Sequence, residues 1–300
     1  MRVFVTDATG FIGAAVVQEL LGSGHQVLGL ARSEAAAQAL VAAGAEVQRG
    51  SLDDLDSLRR GAAAAEGVIH AAFIHDFSVT DYTSACATDR RAIETLGAAL
   101  AGSGRPLVVT SGTMLLASGH LGTEADAADP QAAAGPRVPS EEAALALAKQ
   151  GVRVSLVRLA PSVHGERDHG FVPALIGIAR KERASAYVGD GLNRWPAVHR
   201  LDAARLYRLV LEHGVSGARY HGIAEEGVPF REIAGVIGRR LELPVVSKSP
   251  EEAASHFGWF VRFAGMDSPA SSVRTETFLG WTPQQPGLIA DIDHPQYFES

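Results

Sequence analysis

The sequence has a single cysteine in 300 residues, Cys86. One thiol can neither close an intramolecular disulfide nor supply a thiolate-rich zinc site, so neither device holds the fold. The chain also lacks an excess of positive charge: Lys and Arg number 27 against 34 Asp and Glu, a net charge of −7. That sign repels nucleic-acid backbones and anionic lipid, and no local basic patch offsets it. No uncharged apolar run approaches the roughly 18–20 residues of a membrane span. The first residues open directly into a strand pattern, Arg2-Val3-Phe4-Val5-Thr6, with no charged leader followed by an apolar signal core. The expectation is a soluble, cytoplasmic protein whose partner is a small molecule. What the chain does have is core material. Hydrophobic residues make up 46% and charged ones 20%, enough for one large domain with or without a smaller appendage.

The first half alternates strand and helix signals. Val3-Phe4-Val5 runs through Thr6 into a glycine-bearing turn, and residues 11–22 then carry Phe11, Ile12, Val16, Leu20 and Leu21 at helical spacing. The pattern recurs as strand 26–30 with helix 34–43, strand 46–48 with helix 53–64, and strand 67–71 with a long helix at 81–102. Strand 106–111, helix 140–150 and strand 152–159 complete it. Apolar strands alternating with helices predict a doubly wound α/β fold with a parallel sheet. The first strand–turn–helix is then the phosphate-binding corner. The expected division is a dinucleotide-binding domain at 1–160, to which 186–218 returns, and a smaller lobe from 161–185 and 219–300. Residues 118–138 read as a long surface loop, and 228–243 as an amphipathic helix with Pro229 in its first turn.

Thr6-Asp7-Ala8-Thr9-Gly10-Phe11-Ile12-Gly13 places Gly10 and Gly13 at the spacing that lets backbone N–H groups approach a pyrophosphate. Asp7 stands where the first glycine of such a pattern belongs. Together with downstream motifs, this segment resembles the extended and atypical short-chain dehydrogenase/reductase superfamily, whose fingerprint is T-G-x-x-G-x-x-G. Val68-Ile69-His70-Ala71-Ala72 resembles the fourth-strand motif of that superfamily. Val108-Val109-Thr110-Ser111-Gly112 resembles its fifth strand, and residues 157–165 its R-x-x-x-V-Y-G stretch. Gly189-Asp190-Gly191, Trp195 and residues 198–204 are similar to its G-D-G … V-H-V-x-D-x-A region, and Gly280-Trp281-Thr282-Pro283 to a common C-terminal signature. The resemblance implies a Rossmann domain with a C-terminal substrate lobe, an NAD(P) cofactor and a homodimer formed through the helices at 81–102 and 140–150. It places Thr9, Gly10, Phe11, Ile12 and Gly13 on the pyrophosphate, Ser51 and Leu52 beside the adenine, and Ala71, Ala72 and Phe73 along the cofactor.

After the second strand comes Arg32-Ser33. A guanidinium with a neighbouring hydroxyl suits a ribose 2′-phosphate, which favours NADP(H) over NAD, with Glu34 as the objection. The other reading of Arg32 is a solvated residue ahead of the Ala-rich helix. At an effective dielectric near 20, an ionised Asp7 at ~6–8 Å from a phosphate would repel it by roughly 2–3 kcal/mol before salt screening. An intact fold that binds dinucleotide weakly is the expectation.

The Tyr-x-x-x-Lys pair that usually does the chemistry in this superfamily is absent. Laid on the family pattern, Arg137 falls at the tyrosine and Glu141 at the lysine. This marks an atypical subgroup. Thr110 and Ser111, at the end of the fifth strand, are left to hydrogen-bond a carbonyl oxygen, although a strand-end hydroxyl also serves to satisfy backbone groups. Histidine is the substitute acid of choice, because its pKa lies near 6.5. His75, in the loop after the fourth strand and beside Asp76, is the candidate donor. His164, His169, Arg194, Trp195 and His199 are the candidate substrate contacts, and the spacing around 164–169 matches no zinc pattern, so no metal is expected. The leading function is an NADP(H)-dependent oxidoreductase acting on a small carbonyl or alcohol with a non-standard proton donor. A non-catalytic NAD(P)-binding sensor and a nucleotide-sugar epimerase or dehydratase are the alternatives, the last disfavoured because such enzymes normally keep the Tyr/Lys pair.

Overall fold

The computed structural model describes residues 1–74 and 81–299. Its centre is a seven-stranded sheet built from β1 (Arg2–Thr6), β2 (Gln26–Ala31), β3 (Glu46–Arg49), β4 (Gly67–His70), β5 (Pro106–Gly112), β6 (Arg153–Leu159) and β10 (Ala218–Gly222). The order is β10-β6-β5-β4-β1-β2-β3, and every pairing is parallel. The expected doubly wound α/β fold is therefore present. Strands such as Val3–Val5 and Leu107–Val109 are apolar throughout because helices cover both faces of the sheet.

The crossovers are α1 (Phe11–Gly22), α2 (Glu34–Ala43), α3 (Leu55–Ala63), α4 (Tyr82–Leu100), α5 (Val138–Ala146) and α7 (Arg200–His213). Strand order reverses at β1, whose neighbours are β2 on one side and β4 on the other. Such a switch point opens a crevice at the carboxyl ends of the strands. The expected helix at 140–150 starts two residues earlier, at Val138, and tightens into a 3-10 turn at Leu147–Gln150.

A smaller lobe sits on two short sheets. One joins β7 (Ser162–His164), β9 (Arg194–His199) and β11 (Glu225–Pro229); the other joins β8 (Ser185–Val188) and β12 (Val245–Lys248). Its core gathers residues of α6 (Phe171–Glu182), α8 (Phe230–Leu241), α9 (Pro250–Phe257), α10 (Val261–Ala264) and α12 (Leu288–Ile292), with Trp195, Phe230 and Phe260 fully buried. The sheets divide the chain differently from the sequence reading in two places. Residues 185–199 stay in the lobe, and the return to the central sheet is made by α7 and β10, at 200–222. Near the C-terminus, α11 (Val273–Leu279) packs on α7 and β10, and Trp281 is buried in the core of the large sheet. Pro229 ends β11 and precedes α8 instead of entering its first turn. The 118–138 segment is anchored. Gly122 bridges Ala270, and the buried Glu124 carboxylate accepts hydrogen bonds from the Thr275 amide and hydroxyl at 2.8 and 2.7 Å. Among the described residues no helix is long and apolar enough to cross a membrane.

Candidate active site

The turn between β1 and α1 is built on Asp7, whose φ of +55° is a left-handed conformation that Asp tolerates better than most residues. The Gly10 amide closes the turn on the Asp7 carbonyl at 2.8 Å. A Cβ on Gly13 would collide with that same carbonyl oxygen, so glycine is what lets α1 press against the turn. A Cβ on Gly10 would collide with Asp7 Oδ2, because the carboxylate bends over the start of the helix. It does not cap the helix. Side chains cap α2, α3 and α4 through Ser33, Asp54 and Asp81, whereas α1 has none. The first amides of α1, from Phe11 and Ile12 onward, are thus the orphan donors that bind an anion at a helix N-terminus. This geometry fits a dinucleotide pyrophosphate.

Arg32, at the end of β2, is exposed and makes no hydrogen bond or ion pair among the described residues. Glu34, the objection to a 2′-phosphate, is held by Arg49 Nη2 at 2.5 Å. Arg49 Nη1 also donates to the Ser33 carbonyl at 2.9 Å, which brings a second guanidinium beside the first. The Ser33 hydroxyl accepts the Ala36 amide at 3.1 Å and so caps α2. Ser51 Oγ accepts the Asp54 amide at 3.3 Å, next to Leu52. The Ala71 and Ala72 amides donate to Thr6 Oγ1 at 3.1 and 3.2 Å and are already satisfied within the protein.

At the carboxyl ends of β4 and β5, buried hydrogen bonds hold Arg137 and Glu141, the residues at the positions expected for the Tyr/Lys pair. His70 is fully buried, with Nδ1 at 2.9 Å from Thr6 Oγ1 and Nε2 at 3.2 Å from Asp89 of α4. Two amides already donate to Thr6 Oγ1, so its own proton goes to Nδ1 and the imidazole proton sits on Nε2. Arg137 donates to the other Asp89 oxygen at 3.2 Å and to the Thr110 carbonyl at 2.9 Å, while its guanidinium lies 4.1 Å from the centre of the Phe73 ring. Burial pushes the Asp89 carboxyl up, but Arg137 and His70 outweigh it and hold the pKa down at about 2.

Behind this lies Glu141, 3% exposed. It accepts from Ser111 Oγ at 2.8 Å, from Arg158 through two nitrogens, and from Arg219 at 3.2 Å. Burial raises its pKa and Arg158 lowers it further, leaving it below the ordinary carboxylate value. The hydroxyl protons of the two expected strand-end residues are therefore committed. Ser111 donates to Glu141, and Thr110 donates to the His70 carbonyl at 2.8 Å while receiving the Tyr207 hydroxyl at 2.7 Å. His75 lies outside the described residues.

The lobe residues spread apart. His169 reaches the cofactor corner, its ring edge-on to Phe11 at 5.7 Å. His164 is buried and bound through Nδ1 to Asp291 at 2.8 Å, and Asp291 also accepts the Tyr297 hydroxyl at 2.6 Å. His199 caps α7 by accepting the Leu201 amide at 3.2 Å. Arg194 forms a two-pronged pair with Asp267 at 3.0 Å on each side, and Trp195 is fully buried against Phe171, Phe230 and Phe260. Among the described residues no group of three or more His, Cys, Asp and Glu is placed to hold a metal ion. His70, Asp89 and the ion-pair roles of Arg137 and Glu141 were not anticipated. The one local sign is a charged Asp89 on an otherwise apolar helix face.

The sequence model of the NAD dependent epimerase/dehydratase family matches residues 3–223. The chain belongs to that family. A protein of Schizosaccharomyces pombe, described only as uncharacterized, is 51% identical over 299 residues, covering 99% of this chain and 100% of its own length. A 4-hydroxy-2-methyl-3-oxo-4-farnesyl-3,4-dihydroquinoline-1-oxide ketoreductase of Stigmatella aurantiaca is 27% identical over 267 residues, 86% of this chain and 80% of its own. Among solved structures, a dTDP-glucose 4,6-dehydratase of Streptomyces venezuelae with NAD bound superposes with a TM-score of 0.80 at 22% identity, covering 100% of this chain and 97% of its own. A UDP-glucose 4-epimerase of Thermus thermophilus in complex with NAD gives 0.76 at 22% identity, with 98% and 97% covered. The last two share the fold of this family member.

Proposed function

We propose that this member of the epimerase/dehydratase family is an NADP(H)-dependent oxidoreductase acting on a small carbonyl or alcohol, with a proton donor other than the family tyrosine. The observation that carries the reading is the cofactor corner. The amides of α1 have no side-chain cap, Arg32 has no ion partner among the described residues, and Glu34 is neutralised by Arg49. Arg32 would take the 2′-phosphate. The nicotinamide supplies or accepts the hydride when bound. At the chemical end, Arg137 is fixed by Asp89 and the Thr110 carbonyl. A guanidinium stays charged and keeps its protons at working pH, so it hydrogen-bonds and polarises a carbonyl oxygen but does not release a proton. The proton is assigned to His75, and Thr110 and Ser111 shape the seat of the oxygen. His169, beside Phe11, is the lobe residue proposed to touch cofactor or substrate.

The sensor reading is favoured by one specific observation: the Thr110 and Ser111 protons are already given to protein acceptors. A panel of aldehydes, ketones and alcohols with NADPH and NADP⁺, followed by the nicotinamide absorbance, separates the two. Turnover of at least one carbonyl class is expected. Tight cofactor binding with silence across the panel would establish the sensor instead. Homodimerisation through α4 and α5 is proposed alongside, and sedimentation equilibrium tests it.

A further inference from the structure

Asp7 occupies the position from which a helix N-terminus attracts an anion. Its carboxylate lies over Gly10, at the entrance to α1, whose first turn has no side-chain cap. The carboxylate itself makes no hydrogen bond or ion pair among the described residues. The charged and titratable groups that act on it come from three directions. Arg32 lies at the end of β2, His70 at the end of β4, and His169 in the lobe loop before α6. Each of them is a cation or becomes one on protonation. His169 is also the residue that rests edge-on against Phe11. The corner thus carries a negative group of its own beside the uncapped first turn of α1, where a phosphate would sit.

We propose that Asp7 is a resident anion of the dinucleotide corner, competing in its ionised form with the cofactor phosphates for α1 and Arg32, so that cofactor binding takes up a proton at Asp7. The proposal rests on the dinucleotide reading above and adds its regulation by pH. The proton is available near neutrality. Burial raises the Asp7 pKa to about 6, against the opposing pull of His169, Arg32 and His70. The sign follows from that direction. Below about pH 6 the neutral carboxyl leaves the phosphates unopposed, and affinity falls as pH rises through this range. Asp7 as a residue is exposed, so its carboxyl is desolvated only on the side packed over Gly10, and solvent screens the repulsion. A loss of about tenfold is expected.

The test is a calorimetric titration of NADH into the full chain at about pH 5.5 and about pH 8, in buffers of different ionisation enthalpy so that proton uptake is counted. NADH is the probe because it carries no 2′-phosphate monoester that titrates in the same range. Asp7→Asn keeps the shape and tolerates the positive φ but carries no charge. The unaltered chain should bind about tenfold more weakly at the higher pH and take up a fraction of a proton on binding, the uptake being largest between the two pH values. Asp7→Asn should bind equally well at both and take up no proton. Parallel losses of affinity with pH in both proteins would overturn the proposal and assign the pH dependence to the histidines. Tight binding of NADH by the unaltered chain at both pH values would also overturn it and leave the cofactor reading intact. Absence of binding of both NADH and NADPH by both proteins at both pH values would overturn the two together.

Discussion

At the β1–α1 corner, the amides of α1 have no side-chain cap and Arg32 has no ion partner among the described residues. At the β5–α5 end of the same crevice, two buried sets of hydrogen bonds lie side by side, one joining Thr110, His70, Asp89 and Arg137, the other Ser111, Glu141, Arg158 and Arg219. One region leaves its polar groups open to a ligand, and the other satisfies them internally. The difference shows how one crevice can combine an open backbone corner with a closed set of side chains. The open corner depends on backbone groups and two glycines, which tolerate change in everything around them. The chemical end depends on side chains, and a change at the Tyr and Lys positions requires new partners for each charge that enters the core.

The largest expected effect breaks the closed region. Arg158 is fully buried, and Arg158→Met strands the Glu141 carboxylate with only Arg219 beside it. Unfolding free energy measured in urea should fall by about 3–5 kcal/mol, and the double change Arg158→Met with Glu141→Leu should recover much of it. NADPH affinity of the folded variant should stay the same. A matching fall in affinity would mean that the two regions act as one unit. Next in size is the open region. Arg32→Ala removes a charge-assisted contact worth about 1.5–3 kcal/mol, so NADPH binding should weaken at least tenfold while NADH is nearly unaffected. Equal losses for both cofactors would remove Arg32 from the 2′-phosphate. The smallest effect sharpens the boundary between them. Ser33 caps α2 in the structure, and Ser33→Ala should lower stability by about 1 kcal/mol with little change in cofactor selectivity. A selectivity change as large as that of Arg32→Ala would instead place the hydroxyl on the phosphate.

Much of this architecture was legible because local signals carry it. The helix expected at 34–43 spans Glu34–Ala43, and the long fourth helix and the fifth strand fall within two residues of their expected ends. Apolar runs and periodicity depend on neighbours in sequence, and so does the glycine turn. The buried network does not. Glu141 meets Arg158 at 17 residues' distance and Arg219 at 78, and His164 meets Asp291 at 127. No spacing rule links such pairs: the parallel order of β6 and β10 sets Arg158 beside Arg219, and the packing of α12 on β7 brings Asp291 to His164. The same cause displaced the lobe boundary. The β8 and β9 strands look like any others in sequence, and their pairing with β12 and β11 is decided by the fold.

The most direct test of the contrast between an open cofactor corner and a closed chemical end is single-turnover reduction of a responsive carbonyl by bound NADPH. It should be run with the unaltered chain and with Arg137→Lys, with the cofactor dissociation constant measured on the same samples. Lysine keeps a cation opposite Asp89 and removes the planar fork that joins Asp89 to the Thr110 carbonyl and is proposed to reach the carbonyl oxygen of the substrate. The expected result is an unchanged dissociation constant and a turnover rate lower by about 10²–10³. An undiminished rate in Arg137→Lys, or a loss of cofactor binding as large as the loss of rate, would contradict it.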